Sequence, residues 1–344
     1  MASDKTAPAH TVTYELQVRR ARVQLGAREV LRDVDLDIPK GEVLALLGSS
    51  GCGKTTLLRA IAGLVALNAG EIVIAGCDVT RLSAQKRGVG VVFQHYALFP
   101  NLSVLENIKF GVLADGHGQT EAMARAQELL QLVELQALAQ QLPGQLSGGQ
   151  RQRVALARAL ARKPSLLLMD VPFSPLDESF RLPLRRSFRR LQQALGQTCL
   201  VVTHDREEAF ELADRVAVMF DGGIEQCSRP NDLWQRPATR RVADFLGAFN
   251  GLDARRAPGA LQRDTGCWIA PIAALQQGAE GPDRWPLRAR VVAAYPGQHR
   301  VALDLLSDTG ESLVMWMGAC EALPTEGTWL ALSLPIAALQ HVNG

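Results

Sequence analysis

Gly48-Ser49-Ser50-Gly51-Cys52-Gly53-Lys54-Thr55 follows the unbroken apolar run Val43–Leu47 and opens a helical stretch over Thr55–Gly63. The spacing fits G-x-x-x-x-G-K-[ST]. A buried strand before it and a helix after it are the context in which that pattern cradles a phosphate chain. The glycines let the backbone wrap an anion with its N–H groups turned inward. The start of the helix adds partial positive charge. Lys54 is expected to reach the β- and γ-phosphates and the Thr55 hydroxyl to bind Mg²⁺. Thr56 continues the run, so Gly48, Ser49, Ser50, Gly51, Cys52, Gly53, Lys54, Thr55 and Thr56 form one candidate cofactor-binding segment.

Outward from this loop, residues 14–38 alternate apolar and polar, as half-buried strands of an antiparallel sheet do. Leu166–Met169 and Leu200–Thr203 are further short apolar runs of the kind found in strands buried on both faces. Residues 119–142 read as an amphipathic helical segment. Strands alternating with helices imply a mostly parallel sheet with right-handed crossovers. Composition shifts near residue 250, where Pro and Gly accumulate. Short β-like runs follow over Leu287–Tyr295, Arg300–Leu306, Ser312–Met317 and Thr328–Leu334, with a hairpin turn at Ser307-Asp308-Thr309-Gly310. The expectation is a second, barrel-like β domain over about 250–344.

The 344 residues suit about two domains. With 47 % hydrophobic and 21 % charged residues, the chain has the composition of a globular protein rather than a disordered one. A net charge of +2 argues against a nucleic-acid-coating surface. No apolar run approaches the ~20 residues of a membrane span, and the polar start MASDKTAPAH lacks the apolar stretch of a signal peptide. A cytoplasmic location is expected. The six cysteines form no C-x-x-C pair, so neither a zinc site nor a disulfide framework is indicated.

Leu146-Ser147-Gly148-Gly149-Gln150, about 100 residues after the loop and about 20 before a strand ending in Asp170, resembles the signature sequence of ATP-binding cassette (ABC) ATPases. The Ser147 hydroxyl and the glycine N–H groups at a helix start make a second anion site. In the family that site serves the γ-phosphate held by the other subunit. Four more stretches over 14–248 carry the resemblance. Val91-Val92-Phe93-Gln94 looks like the Q-loop, and Gln94 would touch Mg²⁺ and the attacking water. Leu166–Asp170 is similar to the Walker B strand, with Asp170 holding Mg²⁺ through water. Ser174-Pro175-Leu176-Asp177 sits where the D-loop sits, which places Asp177 at the dimer seam. Val201-Val202-Thr203-His204-Asp205 looks like the switch region, with His204 facing the γ-phosphate.

The run Phe93-Gln94-His95-Tyr96-Ala97-Leu98-Phe99-Pro100 through Asn107 resembles importers for sugars, polyamines, ferric ion and phosphonates. The resemblance implies a RecA-like α/β core with an antiparallel β subdomain, a helical subdomain over about 95–160, and a C-terminal β-rich regulatory domain. It implies ATP and Mg²⁺ as cofactors and a homodimer of cassettes. Two integral membrane permease subunits and, indirectly, a periplasmic solute-binding protein complete the partners. The location implied is the inner face of a bacterial cell membrane, with ferric iron, polyamine or 2-aminoethylphosphonate as solute.

Two positions depart from the family. After Asp170 the family has Glu, the base that polarises the attacking water; this chain has Val171. Losing a positioned base costs typically ~10²–10⁴ in rate. The expectation is ATP binding and sandwich formation with slow hydrolysis; the alternative is a subunit that binds ATP as a switch without turning it over. The second departure is Leu25, at the position where an aromatic side chain stacks on adenine; base stacking is worth roughly 1–3 kcal/mol.

Overall fold

Alternating burial sets the first sheet. β1 (Tyr14–Leu25) and β2 (Arg28–Pro39) pair antiparallel through a tight turn at Gly26, whose φ of +61° suits glycine. β4 (Ala69–Ile74) and β5 (Cys77–Asp78) extend this sheet in the order β2-β1-β4-β5. Val18, Leu31, Leu36, Ile38 and Ile72 fill its inner face. The computed structural model describes residues 13–114, 116–173, 178–257, 259–278, 281–296, 300–318 and 323–342.

Strands buried along their whole length form the second sheet. β3 (Val43–Leu47), β7 (Leu166–Asp170) and β8 (Thr198–Thr203) expose no residue. With β6 (Val89–Val92), β9 (Arg215–Phe220) and β10 (Gly223–Ser228) they give the order β10-β9-β3-β8-β7-β6, parallel except for the β9–β10 hairpin. A parallel sheet needs cover on both faces, which is why these runs are apolar throughout. The cover includes α1 (Lys54–Ile61) and the β1–β2 sheet, whose side chains share one core with β3, β7 and β8.

α2 (Val104–Ala114), α3 (Gln119–Leu132) and α4 (Gly148–Leu160) pack on one another, and α5 (Glu178–Leu195) and α6 (Arg206–Leu212) follow in the chain. The helical reading of 119–142 is corrected here. α3 stops at Leu132, Glu134 takes a left-handed φ of +58°, and the chain continues through short 3₁₀ turns over 136–138 and 143–145. Leu135 is buried beyond the break, so the apolar pattern runs past the end of the helix.

Contacts divide the chain into two units, residues 1–230 and 231–344. The division falls before the composition shift near 250. α7 (Pro230–Gln235) spans it, and α8 (Arg240–Leu246) packs on β11 (Phe249–Asp253) and β12 (Cys267–Pro271). In the second unit β18 (Gln340–Val342) completes a three-stranded sheet, β11-β12-β18. β13 (Gln276–Gln277), β14 (Arg284–Pro296), β15 (Arg300–Ser307), β16 (Ser312–Gly318) and β17 (Trp329–Pro335) form a five-stranded one, β13-β17-β14-β15-β16. The result is a half-barrel of antiparallel strands around Leu252, Trp285, Leu303, Leu313 and Leu334.

Candidate functional site: a phosphate cradle at the sheet's carboxyl edge

β3 delivers the chain to Gly48, which is buried against β9. A Cβ there would lie 2.4 Å from the Met219 carbonyl oxygen, so only glycine lets the loop begin. Gly51 (φ +81°) and Gly53 (φ +112°) take left-handed conformations, and a Cβ on Gly53 would meet the Val30 carbonyl oxygen at 2.9 Å. These positions turn the backbone around a concave loop whose rim, Ser49, Ser50 and Gly51, is exposed and whose Cys52 is buried. α1 starts at once, with Gly53 as its N-cap.

Lys54 is buried. Its ammonium donates to the carbonyl oxygens of Gly48 and Ser49, both at 2.8 Å, and lies 3.7 Å from Cys52 Sγ. The positive charge therefore sits at the loop's own opening. Thr55 Oγ1 donates to Asp170 Oδ1 at 3.1 Å. Asp170 ends β7, two strands from β3, and is nearly buried. Thr56 follows on α1, partly buried.

Among the described residues no three of His, Cys, Asp and Glu gather closely enough to hold a cation unaided. The Thr55 hydroxyl and Asp170 carboxylate fit Mg²⁺ of the kind that takes one or two protein oxygens and completes its shell with phosphate oxygens and water. The loop's N–H groups and Lys54 fit the polyphosphate.

The remaining residues singled out in the sequence fall into five sets. Gln94, in the turn after β6, and His204, directly after β8, are exposed at the same carboxyl edge as the loop. Ligands of open parallel sheets bind along that edge. Val171 follows Asp170 with φ +45°, a left-handed conformation that β-branched residues avoid. It packs partly buried against the core.

Ser147, Gly148, Gly149 and Gln150 form the start of α4. Ser147 Oγ accepts from the Gln150 N–H at 3.3 Å and Gln150 Oε1 accepts from the Ser147 N–H at 2.8 Å, a reciprocal capping box. Gln150 thus holds the turn in shape, and no hydrogen bond joins the four residues to the loop over 48–56 among the described residues. Leu25 ends β1 with 51 % of its surface exposed. Asp177, with the rest of Ser174–Asp177, lies outside the described residues.

Three residues at or near the site escape sequence reasoning. Arg28 Nη2 donates to the Gly51 carbonyl at 3.5 Å. Arg158, on α4, donates to the carbonyl oxygens of Tyr96 (2.9 Å) and Ala97 (2.8 Å), and its guanidinium stands 5.4 Å from the Phe99 ring centroid. Arg185, buried on α5, pairs with Asp205 at 2.9 Å and Glu211 at 3.1 Å, which fixes α6 directly after His204. None belongs to a motif, and no local periodicity marks them.

A loop of this build with a carboxylate two strands away defines a P-loop nucleotide-hydrolysing protein. A family model described as ABC transporter matches residues 31–174. The chain is 45 % identical over 302 residues to the sulfate/thiosulfate import ATP-binding protein CysA of Yersinia pseudotuberculosis, covering 83 % of each chain. It is 46 % identical over 293 residues to the protein of that name from Caulobacter vibrioides, covering 84 % of this chain and 82 % of the relative. The chain belongs to the ABC transporter family, as an ATP-binding, ATPase subunit of importer type.

Solved structures agree on the fold. Clostridium perfringens cbiO1, described as part of the ABC transporter complex cbiONQ, superposes with a TM-score of 0.61 at 27 % identity, covering 65 % of this chain and 91 % of that one. The ATP-binding cassette MJ0796, a dimeric post-hydrolysis structure bound to ADP and Pi, superposes with a TM-score of 0.55 at 31 % identity, covering 62 % and 98 %. Among the described residues no helix is long and apolar enough to cross a membrane.

Proposed function

We propose that this chain powers import of an oxyanion of the sulfate/thiosulfate class by binding MgATP between two copies of itself. The observation that carries the reading is the Thr55–Asp170 hydrogen bond beside the buried Lys54, which supports a metal edge and a phosphate cradle at one end of the sheet. The solute is taken from the names of the relatives, which differ from the ferric iron, polyamine or 2-aminoethylphosphonate expected from the sequence.

Lys54 and the loop N–H groups hold the phosphates, and Thr55 and Asp170 hold the metal that neutralises them. Gln94 and His204 orient water and the γ-phosphate. The exposed capping turn at Ser147 closes over the nucleotide of the partner copy; the dimeric ADP- and Pi-bound cassette MJ0796 supports the pairing of two copies. Permease subunits dock on the segment after Gln94. There Phe99 and Phe110 stack with ring centroids 4.5 Å apart and are 38 % and 46 % exposed, an apolar patch suited to a short helix. The complex sits on the inner face of a bacterial membrane and takes its solute from a periplasmic binding protein.

Val171 gives a second reading: a subunit that closes on ATP as a switch and hydrolyses it slowly, because a valine side chain neither accepts a proton nor orients water. Phosphate release from the purified protein separates the two. Steady turnover each second, abolished by Lys54→Ala, supports the motor and removes the switch. ATP-dependent dimerisation without release, lost on Ser147→Arg, supports the switch. Neither release nor dimerisation would overturn both. Uptake of radiolabelled sulfate by cells carrying the full transporter, run beside ferric ion, putrescine and 2-aminoethylphosphonate, decides the solute.

A further inference from the structure

We infer that Arg28 holds the nucleobase, its flat guanidinium taking the place of the aromatic ring absent at Leu25. The inference rests on the nucleotide-binding reading above. Its basis is the position of the β1–β2 hairpin relative to the two ends of the cradle. The metal end is marked by Thr55 and Asp170 and lies on the β8–β7 side of β3. A phosphate chain anchored there by its outer phosphates leaves toward the opposite flank, where β9 neighbours β3.

On that flank the start of β2 is packed directly on the loop. The Val30 carbonyl oxygen lies where a Cβ on Gly53 would come within 2.9 Å, and where one on Gly222, in the β9–β10 turn, would come within 2.5 Å. Arg32 N–H donates to the Gly222 carbonyl at 2.9 Å. The hairpin is therefore a wall of the cradle at its nucleoside end.

Two large side chains face solvent at the tip of that wall, Leu25 and Arg28, and they are paired across the hairpin. Arg28 reaches the loop at Gly51 O and has no carboxylate partner among the described residues, whereas the nearby Arg32 pairs with Glu29. Its guanidinium is planar, weakly hydrated and solvent-exposed, so its face can meet a purine while Nη2 donates to the Gly51 carbonyl. Such faces stack on bases as aromatic rings do. Leu25 adds apolar contact but no π-face.

The test measures binding of MgATP and of magnesium tripolyphosphate, which lacks the base, to the full chain. Arg28→Ala is expected to weaken ATP binding about five- to thirtyfold and to leave tripolyphosphate binding within about twofold. Arg28→Lys keeps the charge without the flat face and should behave as Arg28→Ala does. Leu25→Trp in the Arg28→Ala background should restore ATP affinity.

Equal losses for both ligands, full recovery with lysine, or no loss of ATP affinity would each overturn the assignment. A parent chain that binds neither ligand would instead overturn the nucleotide-binding reading beneath it.

Discussion

Val171 donates its backbone N–H to the carbonyl of Val202 at 2.8 Å, and this bond holds the residue after Asp170 at φ +45°. The constraint is set by the sheet, because Asp170 and Val202 are register partners of β7 and β8. The side chain is thus fixed beside the Asp170 carboxylate in a conformation that costs a β-branched residue of order 1–3 kcal/mol. The backbone there suits a residue without a branched Cβ, and the proposed hydrolysis calls for a carboxylate at this position. Val171→Glu is expected to raise steady-state phosphate release at least about a hundredfold. An unchanged rate would show that residue 171 does not face the reacting water.

Arg158 is the second structural commitment. Its guanidinium bridges the signature helix α4 to the carbonyl oxygens of Tyr96 and Ala97, both at positive φ. Burial pushes its pKa down, yet it remains far from neutral because arginine is effectively always protonated. Arg158→Ala leaves two carbonyls without their donor, a loss of about 1–3 kcal/mol for bonds to a charged group. The urea midpoint should fall accordingly. Since the tether links the segment after Gln94 to the helix capped by Ser147, uptake by the full transporter should fall more than phosphate release by the isolated chain.

Asn107 pins the same segment from the other side. It is fully buried at the start of α2. Its Oδ1 accepts from the Phe99 N–H, and its Nδ2 donates to the carbonyl oxygens of Phe99, Leu102 and Ser103. Replacement by Leu removes all four bonds: the Phe99 N–H and the Leu102 carbonyl lose the partner that Asn107 supplies, while the Phe99 and Ser103 carbonyls keep the backbone N–H groups of Leu102 and of residue 107. The expected destabilisation is about 2–4 kcal/mol, read as a lower thermal midpoint with MgATP affinity unchanged within a factor of two.

These last two cases show what the sequence withholds. The cradle was legible because everything that shapes it is local: a five-residue apolar strand, glycines at the turning points, a lysine and a threonine at a helix start. The parallel sheet was legible for the same reason, since the short runs Val43–Leu47, Leu166–Met169 and Leu200–Thr203 are almost wholly apolar. The end of α3 was not, because Glu134 adopts φ +58° without glycine or asparagine to announce it, and apolar Leu135 continues the pattern past the break. Nor were Arg158 and Arg28 legible, because their partners lie 61–62 and 23 residues away and are backbone carbonyls, which carry no sequence signal.

Glu208 provides a prediction in pH. It is buried on α6 four residues after His204, with one carboxylate oxygen accepting from Thr203 Oγ1 at 3.0 Å and the other without a hydrogen-bond partner. Burial pushes its pKa up to about 7, against the opposing pull of the Thr203 hydrogen bond and of Arg185 and Arg181; Asp205 adds to the rise. A folded-state pKa above the unfolded value means that the native chain binds the extra proton. This contribution to stability is therefore complete below the ordinary glutamate range and is lost as pH rises through about 7. The loss is on the order of 3 kcal/mol. Glu208→Gln keeps the shape and removes the titration. Its stability relative to the parent should climb between about pH 4.5 and pH 7 and level off above, as read from urea midpoints across that window. Parallel curves for the two proteins would mean that Glu208 is ionised in the folded chain throughout, with a cation or water serving the oxygen that has no partner here.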